Sequence, residues 1–283
     1  MDVSEGNKNN MNTPIKTTIL TVNYNSAAFV INTLWCLEHI TMHPYKVIIA
    51  DNNSKPEDYA ELEAYCADLD YVEVYRKEGF TLRGSMAHGT TLNELVKKVD
   101  TPYFSILDAD ATWLAKGWDE ILMKQLDDTT KVIGTQASPG KPQDFPLMFC
   151  ILFETEAFKK LDIDFRPKDI SEKQDTGFEM REKYQSAGYS GALIEIQNTR
   201  IFKKGPFRHL VGIAEYYLPG HQPIFASHFG RGSSLGANKY AKGLVKWLYK
   251  IPLLGPSLLN AKGRREKQEW IDTCKRIVRT YDT

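Results

Sequence analysis

Short β-rich apolar runs alternate with segments of helical periodicity through the first half of the chain. Thr17–Tyr24 (TTILTVNY) predicts a strand, and Ser26 stands where it would cap a helix whose Phe29, Val30, Leu34 and Leu37 recur at helical spacing. Lys46–Ala50 (KVIIA) predicts the next strand, Glu57–Ala67 a helix, Tyr71–Tyr75 (YVEVY) a third strand, and Thr91–Val99 the end of a further helix. Tyr103–Leu107 (YFSIL) is continuously apolar, as expected of a strand covered on both faces. The alternation implies βαβ units around a mostly parallel sheet, and hence an α/β fold class. After Lys131–Gly134 it loosens into a Pro-rich loop, Ser138–Pro146. A strand (Leu147–Phe153), a helix opening near Asp175, a strand (Ala192–Ile196) and a helical C-terminus from Lys239 follow.

The 283 residues carry 36 Lys+Arg against 36 Asp+Glu, with 42% hydrophobic and 25% charged residues. That balance excludes a disordered or collagen-like chain, and a zero sum gives no overall attraction for nucleic acid. No apolar run approaches the roughly 20 residues needed to cross a bilayer. Met1–Thr13 is polar and Asn-rich, which reads as a flexible leader and not a secretory signal. Cys36, Cys66, Cys150 and Cys274 are scattered without CxxC spacing, so reduced cytoplasmic thiols are expected. No GxGxxG opens a helix after the first strand and no GxxxxGK[ST] occurs, which disfavours a dinucleotide oxidoreductase and a P-loop hydrolase.

Candidate chemistry gathers at the ends of the predicted strands. Asp108-Ala109-Asp110 closes the YFSIL run, and in an extended segment residues i and i+2 point to one side, so both carboxylates can converge. Two such carboxylates suit Mg²⁺ or Mn²⁺ bridging to nucleotide phosphates, and strand carboxyl ends are where open α/β sheets bind ligands. A solvated turn or a helix N-terminus is the alternative. Asp51 follows KVIIA, at a position to accept hydrogen bonds from a nucleobase or to form a turn. Tyr24 closes the first strand, to stack on a base or simply to pack. Gln174-Asp175 precedes the amphipathic residues Phe178, Met180, Tyr184 and Ala187, where a carboxylate also serves as a helix dipole partner. Ser227-His228-Phe229-Gly230-Arg231-Gly232-Ser233-Ser234 sets a histidine before a flexible Gly/Ser loop; such a histidine is a metal ligand or a structural residue.

TTILTVNYNSAAFVINTLWCLEHI, KVIIADNNS and YFSILDADATWLAKGWDEIL together resemble family 2 of the GT-A glycosyltransferases. The resemblance covers Thr17 to Val132 well and continues more loosely through QDTGFEMREKYQSAGY and SHFGRGSS. It implies a GT-A fold in which Tyr24 and Asp51 hold the donor's base near the Val22 backbone. It also implies that Asp108, Ala109 and Asp110 form the DxD motif for metal, ribose and sugar diphosphate. Asp175 matches the inverting catalytic base, and His228 resembles a late histidine that completes the metal site. The chain departs from the family in having Gln174 for the usual glutamate, and Gly84-Ser85-Met86-Ala87-His88-Gly89 where an Asn-Gly-rich donor loop is usual. Arg83 and His88 are candidates for phosphate or sugar contact, with a core or capping role the alternative for His88.

The implied activity is an inverting, Mn²⁺- or Mg²⁺-dependent transfer from a nucleotide-sugar to a hydroxyl of a glycan or lipid-linked acceptor, in cell-surface polysaccharide synthesis. A nucleotidyltransferase acting on sugar phosphates, or a noncatalytic sugar-nucleotide or glycan-binding module, are the rivals. The expected organisation is a leader (1–13), a donor half (14–135), an acceptor half (136–235) and a basic helical extension (236–283). Ala237–Arg265 holds seven basic residues and no acidic one, which leaves 29 positive against 36 negative charges elsewhere. Lys239, Lys242, Lys246 and Lys250 share one helical face. That pattern predicts a cytoplasmic enzyme lying peripherally on the anionic inner face of the cytoplasmic membrane; a solvated lysine stripe on a core-packed helix is the alternative.

Overall fold

The computed structural model describes residues 13–169, 171, 174–220, 223–232, 235 and 254–282. Strands β1 (Thr17–Asn23), β2 (Tyr45–Asp51), β3 (Val72–Arg76) and β4 (Tyr103–Asp108) form a parallel block in the order β3-β2-β1-β4. Helices α1 (Ala27–Ile40), α2 (Pro56–Cys66) and α3 (Gly84–Val96) make the crossovers. Alternate strand residues feed two separate cores. Ile19, Val47, Ile49 and Leu107 cluster with Phe29 and Leu37 of α1, whereas Leu20, Ile48, Ala50 and Ile106 cluster with Leu92 and Leu95 of α3. Apolar packing on both faces is why these strands read as unbroken apolar runs.

Ala109 and Asp110 alone separate β4 from β5 (Ala111–Trp113). Next come α4 (Trp118–Met123), β6 (Thr130–Thr135), β7 (Leu147–Glu154), α5 (Thr155–Lys160), α6 (Met180–Ser186), β8 (Ser190–Asn198), β9 (Ala214–Tyr217), β10 (Ala226–His228) and α7 (Leu254–Arg279). The full ladder runs β3-β2-β1-β4-β7-β6-β8-β9-β10-β5. Beyond the parallel block it is mixed, with β6 and β8 parallel and β7, β9, β10 and β5 antiparallel to their neighbours. β5 thus ends the ladder while lying two residues from β4 in sequence. The late strands must curl back for this to hold, and the curl carries β10 to the carboxyl end of β4.

Several local expectations change. Ser26 is the N-cap of α1, but its hydroxyl donates to the Tyr24 carbonyl at 3.1 Å; the Ala27 N–H is capped by the Asp58 carboxylate of α2 at 3.1 and 3.3 Å. A charged acceptor suits the helix dipole better than a hydroxyl. α3 begins at Gly84, so the GSMAHG segment is its first turns and not a loop. Asp175 opens no helix: residues 176–179 form a turn around Gly177 (φ +76°), and α6 starts at Met180. β5, β9 and β10, of three or four residues each, are too short to give a periodic signal.

α7 buries Trp270, Ile271, Cys274 and Val278 in the core that contains α1. The basic segment with Lys239, Lys242, Lys246 and Lys250, and the leader apart from Thr13, lie outside the described residues. Among the described residues no helix is long and apolar enough to cross a membrane. All four cysteines are free and buried.

Candidate active site

β1, β2, β4 and β10 end around one cavity of about 430 Å³, whose lining includes Val22, Tyr24, Asn52, Asp108, Asp110 and His228. Asp108 is the last residue of β4, and Asp110 sits in the turn to β5. His228 closes β10, paired in register with Ala111. Its Nε2 is 3.3 Å from Asp110 Oδ1 and 3.9 Å from Asp108 Oδ2, and its ring stacks on Phe149 with centroids 4.3 Å apart. One ligand atom from each of the three residues falls within 4.8 Å of the others.

The two carboxylates have unlike surroundings. Asp110 Oδ2 accepts the backbone N–H groups of Arg231 and Gly232 at 2.8 and 2.7 Å. Burial alone would raise its pKa, but His228 and those two N–H groups outweigh it and hold Asp110 at about 2. Among the described residues Asp108 has no such donors. Burial pushes it up to about 7 against the pull of His228, with Asp110 and Asp175 adding to the rise, and its Oδ1 has no hydrogen-bond partner among the described residues. An orphaned buried carboxylate oxygen beside a second carboxylate and an imidazole is a donor set that fits a divalent cation.

Around this cluster, His88 of α3 has Nε2 3.8 Å from Asp108 Oδ1. Burial lowers its pKa to about 4 although Asp175 and Asp110 act the other way, so the imidazole is neutral at pH 7. The Arg83 guanidinium lies 5.3 Å from the centroid of the Tyr24 ring, within cation–π range. Both side chains, and Ala109, line the cavity.

Asp51 is not among the lining residues. Its side chain is fully buried, accepts Asn23 Nδ2 at 2.9 Å and the Ser54 N–H at 3.0 Å, and lies 3.8 Å from Arg76 Nε. Its neighbour Asn52 reaches the cavity instead, with its Oδ1 accepting the Thr91 hydroxyl at 2.8 Å.

Asp175 borders a second cavity of about 370 Å³, with Lys141, Phe145, Phe178 and Arg181. Asp175 Oδ1 accepts the Ser85 hydroxyl at 2.5 Å and the Thr176 N–H at 2.9 Å, and Oδ2 lies 3.6 Å from Lys141 Nζ. Gly84 lines the first cavity while Ser85 grips Asp175, so the first turn of α3 stands between the two. Gln174 Oε1 accepts the Lys168 and Asp169 N–H groups at 2.9 and 2.8 Å and so ties the residue before Asp175 to that backbone.

Ser85 and the Arg231–Gly232 backbone lie in segments that the sequence singles out, but nothing in it marks them as partners of Asp175 and Asp110. The Gly/Ser segment after His228 reads as flexible, yet a Cβ on Gly232 would fall 2.7 Å from Asp110 Cβ, a close approach that only glycine permits.

A family model for glycosyl transferase family 2 matches residues 18–184. No curated protein sequence matches the chain. Among solved structures, "Mannosyltransferase PcManGT from Pyrobaculum calidifontis in complex with GDP-Man and Mn2+" superposes with a TM-score of 0.51 at 17% identity, covering 63% of this chain. The match spans 54% of that protein's own length. S. aureus TarS 1-349 aligns over 95% of this chain and 91% of its own at 13% identity, with a TM-score of 0.49. The family match spans well over half of the chain, from β1 into α6, and takes in the Asp108–Asp110 turn as well as Asp175: the chain belongs to glycosyl transferase family 2 and has the GT-A fold.

Proposed function

We propose that the chain is an inverting, metal-dependent glycosyltransferase that moves a sugar from a nucleotide-sugar donor to a hydroxyl of a glycan or lipid-linked acceptor in cell-surface polysaccharide synthesis. The observation that carries this reading is the convergence of Asp108, Asp110 and His228 on a cavity that also holds Tyr24, with a separate carboxylate, Asp175, at the next cavity. A binding module has no use for that second carboxylate.

A divalent ion, Mn²⁺ by preference since an imidazole joins the oxygen donors, would be held by Asp108, Asp110 and His228 and would supply positive charge to a diphosphate leaving group. Tyr24 stacks the base, with Val22 and Asn52 beside it, and Asp51 supports this end of β2 through Asn23 and Ser54. Neutral His88 offers a hydrogen bond to phosphate or sugar without adding charge. Asp175, oriented by Ser85, takes the proton from the acceptor hydroxyl as that oxygen attacks the anomeric carbon. One displacement inverts the configuration. The acceptor lies in the Asp175 cavity, where half-exposed Phe178 offers a ring face and Arg181 a polar edge. On this reading residues 14–135 bind the donor and 136–235 the acceptor.

Asp175→Asn tests the assignment. Donor binding, followed by the thermal shift that a nucleotide-sugar and Mn²⁺ produce, should persist while transfer is abolished; substantial residual transfer sinks the role of Asp175. Product analysis separates the nearest rival, since glycosyl transfer releases a nucleoside diphosphate and nucleotidyl transfer releases pyrophosphate. Peripheral membrane attachment rests on the lysine stripe of 239–250, and flotation with anionic vesicles tests it: binding should be lost when those lysines become glutamine.

A further inference from the structure

α7 lies outside the residues that match the family, yet one of its faces grips the segment that carries His228. Fully buried Trp270 donates its indole N–H to Ser227 Oγ at 3.0 Å and packs on Phe229 with centroids 6.2 Å apart. Gly263 approaches Leu235 so closely that a Cβ there would stand 2.8 Å from the Leu235 Cβ and carbonyl oxygen. Between these two contacts, Glu266 Oε2 meets Arg231 Nη1 at 2.8 Å, with the side chains 12% and 3% exposed. The Arg231 guanidinium also lies 4.5 Å from the Phe229 ring centroid. Gly263, Glu266 and Trp270 are spaced by three and four residues and so form a single stripe along the helix.

Arg231 and Gly232 are the residues whose backbone N–H groups fix Asp110 Oδ2. We propose that Glu266 is a positioning residue: by clasping Arg231 it fixes the two backbone donors that orient Asp110, and with Asp110 the geometry of the Asp108/Asp110/His228 cluster. The consequence for metal rests on the function proposed above; the restraint on the peptide does not. A nearly buried ion pair is well suited to this task. Apolar contacts tolerate sliding, whereas a carboxylate withdrawn from water loses its counter-charge if helix or loop shifts. Lys262, 3.7 Å from Glu266 Oε1, adds positive charge on the helix side.

The test uses the full chain with Glu266→Gln and Glu266→Asp. Glu269→Gln is the control, because Glu269 pairs with the exposed Arg265 on the same helix. Amide hydrogen exchange is read on metal-free protein, and Mn²⁺ binding is read by electron paramagnetic resonance. In Glu266→Gln, exchange at Arg231 and Gly232 should rise about tenfold or more while β1 and β4 stay protected. Mn²⁺ affinity should fall about 10- to 100-fold, the usual effect of losing an outer partner of a metal ligand. Glu266→Asp should lie between, and Glu269→Gln should match the unmodified chain. Unchanged protection of Arg231 and Gly232 in Glu266→Gln overturns the proposal; should the glutamine variant fail to fold, unchanged protection in Glu266→Asp overturns it equally. Unchanged Mn²⁺ affinity in a variant whose exchange has risen also overturns it. If the unmodified chain binds no Mn²⁺ but the amides respond as expected, the positioning role stands and the metal reading falls.

Discussion

Gly232 lies against Asp110: its N–H reaches Oδ2 at 2.7 Å, and the place its Cβ would occupy is 2.7 Å from Asp110 Cβ. The carboxylate is therefore set by a backbone that tolerates no side chain. Gly232→Ala should displace Asp110 and weaken Mn²⁺ binding by about 10- to 100-fold, and the overpacking should also lower the stability of the metal-free protein by about 1–3 kcal/mol. Mn²⁺ titration checks the first part and calorimetry the second.

Ser85 gives a second prediction, with a sign. Burial pushes the Asp175 carboxyl up, but the Ser85 hydroxyl, the Thr176 N–H and nearby Lys141 outweigh it and hold the group below the usual carboxylate range. A base works only when ionised, so activity is lost as pH falls through its pKa. Ser85→Ala removes one of the lowering contacts. The acid limb of the kcat profile should move to higher pH, and the donor KM should stay nearly unchanged.

Chelation should abolish transfer, and added Mn²⁺ should restore it. His228→Ala should raise the Mn²⁺ concentration needed for half-maximal restoration by about tenfold or more, since one of the three proposed donors is gone. A rate indifferent to chelator and Mn²⁺ would overturn the metal assignment.

Stability has its own sensitive point at Gly205, where a Cβ would stand 1.6 Å from Glu215 Oε2. The buried Glu215 carboxylate accepts the Phe207 N–H and the Tyr217 hydroxyl, each at 2.8 Å, and cannot retreat without leaving them unpaired. Gly205→Ala should cost about 1–3 kcal/mol in urea unfolding, the usual scale of overpacking.

All four thiols are buried, and burial pushes Cys36 up to about 12, Cys66 up to about 11, and Cys150 and Cys274 well above their ordinary value. Thiol-specific reagents should leave the folded protein unmodified at pH 8 and label four sites per chain in denaturant.

Unbroken apolar runs make β1, β2 and β4 legible in the sequence, because packing on both faces leaves few polar positions to interrupt them. Asp108, Asp110, Tyr24 and His228 are legible as strand-end residues, and the structure brings all four to one cavity. The role of Asp58 as the cap of α1 is not, since the residue that caps lies on another helix. Ser85 is hidden for a similar reason: its partner is Asp175, 90 residues away, and no local pattern marks that pairing. The first turn of α3 reads as a loop because its glycines and His88 weaken the helical signal without preventing the helix.

The two-residue passage from β4 to β5 has a consequence for how the protein acquires its site. Asp110 meets the N–H of Gly232 across 122 positions of sequence, and among the described residues β5 pairs with β10. Contacts that close so long a loop form late in folding, after the local βαβ units. During synthesis, Asp108 and Asp110 leave the ribosome long before Arg231 and Gly232, so a nascent chain holds both aspartates without the backbone donors that fix Asp110. On the proposed metal role, loading waits for β10 and α7, and metal capture would then report that these late elements have closed onto the sheet.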